Sequence, residues 1–135
     1  MKENTKAILL VDDDEEDRML LQDAFDDLGY GSILKQAQNG EEALVYLKGL
    51  PTEALPSLIV LDLNMPRLNG RQTLQHLKSD PRLDKITVVI FSTSHNPKEQ
   101  RECLLLGAHS YIIKPVSFKE SIEIASSFYD MCNLQ

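Results

Sequence analysis

Short apolar runs alternate with helical patterns from one end of the chain to the other, five times over. Residues 6–11, Lys-Ala-Ile-Leu-Leu-Val, form a branched apolar run stopped by acids. Residues 58–61 (Leu-Ile-Val-Leu) and 86–91 (Ile-Thr-Val-Val-Ile-Phe) repeat the pattern. Continuous runs of this length, without alternation, predict strands buried on both faces. Residues 32–38 are more polar and predict a strand nearer an edge, and residues 109–113 predict a short fifth strand.

Helical signals fill the intervals. Leu20, Ala24, Phe25 and Leu28 recur at helical spacing, with Gly29 as a stop. Asn39 precedes Ala43, Leu44 and Leu47, with Glu41 and Glu42 at the positive end of the helix dipole. Gly70 opens a third helix bearing Leu74 and Leu77, closed by Asp80-Pro81. Asn96-Pro97 opens a fourth, with Pro at the first helical position. Ser117 and Glu120 form a capping-box pattern before a fifth helix. Its inner face is predicted to be Phe118, Ile122, Ala125 and Phe128 or Tyr129. Residues 50–56 hold two prolines and read as a longer loop.

Five βα units predict an α/β fold with a parallel sheet, right-handed crossovers and helices on both faces. The 135 residues suit one domain, residues 1–135, and the 21 residues after Lys114 suffice for one helix but no output domain. The net charge of −7 argues against a nucleic-acid binder, which needs clustered Lys and Arg. No apolar run is long enough to span a bilayer and no cleavable leader pattern precedes the first strand, so no membrane partner is expected. Cys103 and Cys132 lack CxxC spacing and read as reduced thiols of a cytoplasmic protein. His76, His95 and His109 have no metal-like spacing and read as surface or structural residues.

In an open parallel sheet, ligands bind beyond the carboxyl ends of the strands. After the first strand come Asp12, Asp13, Asp14, Glu15 and Glu16; after the third, Asp62; after the fourth, Ser92; after the fifth, Lys114-Pro115. Asp14, Glu15 and Glu16 read as helix N-terminal charge. The remaining carboxylates repel one another unless a cation joins them, and hard oxygen ligands with open positions suit Mg²⁺. An ammonium and a hydroxyl facing such a cluster make sense if a phosphoryl group arrives between them. A carboxylate can itself be the nucleophile, giving an acyl phosphate.

At these residues the chain resembles a response regulator receiver domain of two-component signalling. The resemblance rests on Val11-Asp12-Asp13, on Leu61-Asp62-Leu-Asn-Met-Pro66 with Gly70, on Ser92 after an apolar strand, and on Tyr111-Ile-Ile-Lys114-Pro115. It covers about residues 6–130. The length, the Ser92-Thr93-Ser94 run and the insert at residues 51–56 are most similar to single-domain regulators that partner bacterial phytochromes.

The resemblance implies a doubly wound, flavodoxin-like sheet of strand order 2-1-3-4-5 flanked by five helices. It implies Asp62 as phosphoacceptor. Asp13, Asp62 and the backbone carbonyl of Asn64 would bind Mg²⁺, with Asp12 acting through a metal-bound water. Lys114 would pair with the phosphoryl group and Ser92 would hydrogen-bond it. Tyr111 would turn inward when Ser92 moves, and a cis bond would join Lys114 to Pro115. The implied partner is a sensor histidine kinase or phosphotransfer protein. The face of the fourth helix, fifth strand and fifth helix would switch, and a homodimer through it is a common family outcome. The implied role is signalling or phosphorelay rather than enzymatic turnover, with slow self-dephosphorylation. Thr93 departs from the small residue usual after the hydroxyl, and Asn69 from the usual Asp before Gly70.

Two other classes compete. A haloacid-dehalogenase-type phosphohydrolase would use Asp12 as nucleophile, but Glu16 stands where Thr or Val is needed and Asp62 would have no role. A non-phosphorylated binding module would be favoured by loss of a key residue, and none is lost. An FMN binder fails because acids stand where its phosphate loop needs free N–H groups.

Overall fold

The computed structural model describes residues 7–133. The chain runs β1 (Ile8–Val11), α1 (Glu15–Asp27), β2 (Leu34–Ala37), α2 (Gly40–Lys48), β3 (Leu58–Leu61), α3 (Gly70–Ser79), β4 (Thr87–Ser92), α4 (Pro97–Leu105), β5 (Ser110–Ile113) and α5 (Phe118–Asn133). The five strands form one parallel sheet in the order β2-β1-β3-β4-β5, as the resemblance implied. Lys6, predicted to begin the first strand, lies outside the described residues.

The continuous apolar runs are explained by two cores. Leu9, Val11, Ile59, Leu61, Val88 and Ile90 point to one face of the sheet, where Ala43, Leu47, Leu74, Leu77 and Cys103 of α2, α3 and α4 cover them. Ile8, Leu10, Leu58, Val60, Val89 and Phe91 point to the other, against Leu21, Ala24 and Phe25 of α1 and Ala125 and Phe128 of α5. Successive strand side chains face opposite ways, so a strand covered on both faces needs no polar alternation. Each fully buried Leu or Phe contributes roughly 2 kcal/mol of transfer free energy. β2 is an edge strand, and its central Lys35 and Gln36 are exposed.

Side chains just before the helices cap their starts. Asp14 accepts from Glu16 N, Asn39 from Glu42 N, and Asn96 from Lys98 N. Asn69 and Gln72 complete a reciprocal capping box at α3. At α5 the Ser117 hydroxyl accepts from Glu120 N at 3.2 Å, but the Glu120 carboxylate meets that same hydroxyl rather than the cap N–H. Gly29 ends α1 with φ +83°, a conformation that disfavours side chains.

Three boundary or face expectations are corrected. Leu21, not Leu20, is the fully buried leucine of α1, because the helix begins at Glu15 and rotates Leu20 toward the edge of its buried stripe. Phe118 is 44% exposed; Ser121 is buried in its place and bonds back to Ser117 O at 3.1 Å. Residues 31–33, partly assigned to the second strand, form a 3₁₀ turn, as do residues 52–54 in the proline loop.

Candidate functional site

The strand ends place the site backbone by extending the sheet ladder one residue. Asp12 N donates to Ala37 O at 3.1 Å, Asp62 N to Val11 O at 2.9 Å, and Lys114 N to Ser92 O at 2.9 Å. The polar residue after each apolar run is therefore held in register with its neighbours. Behind Asp62 the chain folds back, and Gly70 N donates to Leu63 O at 2.9 Å. A Cβ on Gly70 would lie 2.2 Å from Asp62 O and 2.6 Å from Leu63 Cα, so the start of α3 can press against the strand end only without a side chain there.

Asp12, Asp13 and Asp62 each bring a carboxylate oxygen within 4.8 Å of the others. Asp12 and Asp62 are buried at 1% and 6% exposure, whereas Asp13 is exposed. Three hard oxygens with one open, solvent-facing side suit a divalent cation that keeps several waters. Asn64 is exposed beside them and lines an open cleft with Asp13, Met65, Arg71 and Glu99.

Lys114 closes the cluster from the other side. Its Nζ donates to Asp12 Oδ2 at 2.7 Å and to Asp17 Oδ2 at 2.8 Å, and stands 3.6 Å from Asp62 Oδ1. It also lies 5.9 Å from the centroid of the Phe91 ring. Burial pushes the Asp62 carboxyl up to about 7; Lys114 opposes the rise, Asp12 adds to it, and the Leu63 and Asn64 N–H groups oppose it. Burial pulls the Lys114 ammonium down, but its bonds to Asp12 and Asp17 and the charge of Asp62 outweigh it and hold it above its ordinary value.

The two oxygens of Asp12 are both engaged. Oδ1 accepts from Asp14 N at 3.0 Å and Oδ2 from Lys114. Asp62 Oδ1 accepts from Leu63 N at 2.9 Å.

Ser92 ends β4 fully buried, and its hydroxyl oxygen accepts from Ser94 N at 3.1 Å. Ser94 donates to Glu99 Oε1 at 2.5 Å and accepts from Asn96 N at 3.2 Å, tying the loop to the first turn of α4. Tyr111 is half-buried, and its hydroxyl donates to Ser94 O at 3.0 Å. The β4–α4 loop thus connects Ser92 to Tyr111 through one residue. Thr93 is exposed.

The structure brings Asp12, Asp13, Asp62 and Lys114 together as the strand-end reading expected. It corrects one expectation: no cis peptide bond occurs among the described residues, so Lys114 joins Pro115 in trans, the form favoured by about 0.5–1 kcal/mol for a bond to proline. Two residues were missed. Asp17 is a hydrogen-bond partner of Lys114, and Arg18 is a buried cation donating to Asp12 O at 2.8 Å. Asp17 lies in the first turn of α1, where an acid is already explained by the helix dipole. Its partner, 97 residues away, left no local signal.

Comparison with known proteins points to one family. A family model described as response regulator receiver domain matches residues 8–126. The probable methanogenesis regulatory protein FilR2 of Methanothrix harundinacea (strain 6Ac) is 34% identical over 120 residues, covering 87% of this chain and 77% of that protein. The crystal structure of the phosphorylated cyanobacterial phytochrome response regulator RcpA superposes with a TM-score of 0.82 at 34% identity, covering 93% of this chain and 91% of that one. The Mn²⁺-bound form of response regulator Rcp1 superposes with a TM-score of 0.78 at 30% identity, covering 93% and 92%.

Proposed function

The chain belongs to the response regulator receiver family, and we propose that it accepts a phosphoryl group on Asp62 and signals through the change that follows. The observation that carries this reading is the placement of Asp62. It is a buried carboxylate at the end of β3, between the Lys114 ammonium and the acids of β1. The proposed donor is a phosphohistidine of a sensor histidine kinase or phosphotransfer protein. A carboxylate oxygen of Asp62 attacks phosphorus, the P–N bond breaks, and the donor ring, already protonated at its other nitrogen, leaves as neutral imidazole. The product is an acyl phosphate on Asp62.

Asp13, Asp62 and the Asn64 carbonyl would hold Mg²⁺. Bound there, it would supply positive charge to the phosphoryl oxygens and orient them for in-line transfer. Asp12, with both oxygens already engaged, suits contact through a water rather than directly. Lys114 supplies a second positive charge, with one N–H not committed to Asp12 or Asp17. Ser92 offers a hydroxyl at the neighbouring strand end. Movement of Ser92 toward the phosphoryl group would pull on the loop that Tyr111 grips through Ser94 O, which carries the change to the face of α4, β5 and α5. Binding of a partner or a second copy at that face is the proposed output. We place this receiver domain in the cytoplasm, without nucleic acid or membrane as partner.

The phosphohydrolase alternative is disfavoured by Asp12 itself. An enzyme nucleophile needs an oxygen free to attack, and both Asp12 oxygens are already engaged, by Asp14 N and by Lys114 Nζ. The test is incubation with Mg²⁺ and acetyl phosphate, read on a phosphate-affinity gel, followed by a phosphorylated histidine kinase as donor. The expected result is a Mg²⁺-dependent shifted band that is lost in Asp62→Asn. No shift with either donor overturns the reading, and phosphatase activity lost with Asp12→Asn alone moves it to the enzyme class.

A further inference from the structure

The ammonium of Lys114 is divided between two carboxylates that play different parts. Asp12 Oδ2 lies 2.7 Å away on β1's end, deep in the site. Asp17 Oδ2 lies 2.8 Å away on the first turns of α1, with its side chain 35% exposed. Asp62 Oδ1, at 3.6 Å, is beyond hydrogen-bond distance. The ammonium therefore leans toward α1 and off the carboxylate that the functional reading makes the acceptor.

A first-turn acid needs no partner to be explained, because the helix dipole alone favours it. Asp17 goes beyond that. Asp14 already caps α1 and Glu15 and Glu16 already supply acids to its first turn, both exposed. Asp17 alone of these is turned inward onto Lys114, beside Leu21, Phe91 and Ser121 at the junction of α1 and α5.

We propose that Asp17 is a positioning residue for Lys114: it holds the ammonium on the α1 side of the site and so limits how readily Lys114 reaches a phosphoryl group on Asp62. This deepens the receiver reading and rests on it. For a phosphoryl oxygen to be bonded, Lys114 must close most of a gap that Asp17 keeps open. Loss of the Asp17 charge frees the ammonium to pair with the incoming group, while Asp12 keeps it in the site.

The experiment has two arms, so that failure of the receiver reading and failure of this inference are separable. The first uses metal-free protein without any phosphoryl donor. Solvent exchange of the Lys114 ammonium protons is followed by nitrogen-15 NMR in wild type, Asp17→Asn and Asp17→Glu. Exchange about fivefold faster in Asp17→Asn, with slow exchange retained in Asp17→Glu, is expected for loss and rescue of one charge-assisted bond. Unchanged exchange in Asp17→Asn overturns the proposal, whether or not Asp62 proves to be an acceptor.

The second arm measures the rate of phosphorylation by acetyl phosphate with Mg²⁺, in wild type and Asp17→Asn, each with Lys114 intact and as Lys114→Met. Asp17→Asn is expected to raise the rate about fivefold with Lys114 present and to leave it unchanged with Lys114→Met. A slower rate in Asp17→Asn overturns the proposal. So does an equal change in both backgrounds, which would make Asp17 a helix-terminal charge acting without Lys114. Absence of phosphorylation in wild type with acetyl phosphate and also with a phosphorylated histidine kinase overturns the receiver reading, and the exchange arm then decides the position of Asp17 alone.

Discussion

The Lys114 ammonium and the Asp62 carboxylate stand 3.6 Å apart, near enough to feel each other's charge and too far to share a proton. Two other carboxylates hold the ammonium there, at 2.7 and 2.8 Å. The site thus gathers one ammonium and several carboxylates, and its stability depends on how that charge is balanced.

Lys114→Met should unfold the metal-free protein more easily by about 3 kcal/mol, because Asp12 would be left buried at 1% exposure without its cation. Urea unfolding measures it. Adding Asp62→Asn to the same chain removes one of the remaining acids and should recover part of the loss. A change under about 1 kcal/mol would mean that the pair contributes no more than a surface ion pair.

Asp62 makes metal-free stability fall as pH rises. Its carboxyl is raised to about 7 in the folded chain from an ordinary 3.8. A raised acid favours the folded state while protonated, so that contribution is complete below about pH 4 and is lost as pH climbs through about 7. Asp62→Asn has no proton to lose there. It should therefore exceed wild type by about 2 kcal/mol at pH 8, after allowing for solvent screening, and match it near pH 4. Denaturation midpoints compared across this range decide it; equal midpoints at pH 8 would contradict the burial effect.

Divalent cations should stabilise the folded chain through Asp13. Binding to the folded state alone stabilises it by about 2.7 kcal/mol at a hundredfold excess over the dissociation constant, so the melting temperature rises with concentration. Asp13 is exposed, so Asp13→Ala should leave the metal-free melting temperature nearly unchanged and abolish the rise with Mg²⁺ or Mn²⁺. Calorimetry with and without cation provides the check. A full rise in Asp13→Ala would remove Asp13 from the ligand set.

Two glycines should respond in opposite directions to the same added methyl. Gly70→Ala places a Cβ 2.2 Å from Asp62 O, against backbone that cannot rotate away, and should cost about 2–3 kcal/mol. Gly49 has φ −83°, and a Cβ there meets only Tyr46 O and Val45 O at 3.6 Å. Gly49→Ala should stabilise by about 0.5 kcal/mol through the unfolded chain. Urea unfolding of both variants reads the contrast. The Gly70 variant should also lose divalent-cation binding, since the clash falls on the strand end that carries Asp62.

The strands and caps were legible because their causes are local. Leu58–Leu61 reads as a strand at its observed bounds, since a fully apolar run flanked by a turn and an acid admits few alternatives. Asn39 and Asn96 cap the helices whose starts they mark in the sequence, because a cap bonds only to residues two or three ahead. Faces were less legible where one residue shifts the helix phase. Leu20 and Leu21 are both leucines, and sequence alone does not say which faces the core. Phe118 is apolar and still exposed, because Ser121 occupies the inner position of the first turn of α5.

By itself the sequence determined the strand order of events along the chain, the α/β layering and the set of acids, hydroxyl and amine at the strand ends. Hydrophobic period, turn chemistry and the position of polar residues after apolar runs are all read within a window of a few residues. The tertiary structure decided who pairs with whom across the site. It chose Asp17 as the second partner of Lys114, placed Arg18 beneath Asp12, and set Lys114 off Asp62 rather than on it. Those choices join residues up to 97 positions apart. They depend on distances of a few tenths of an ångström fixed by packing of α1 and α5 on the sheet, and no local pattern carries that information.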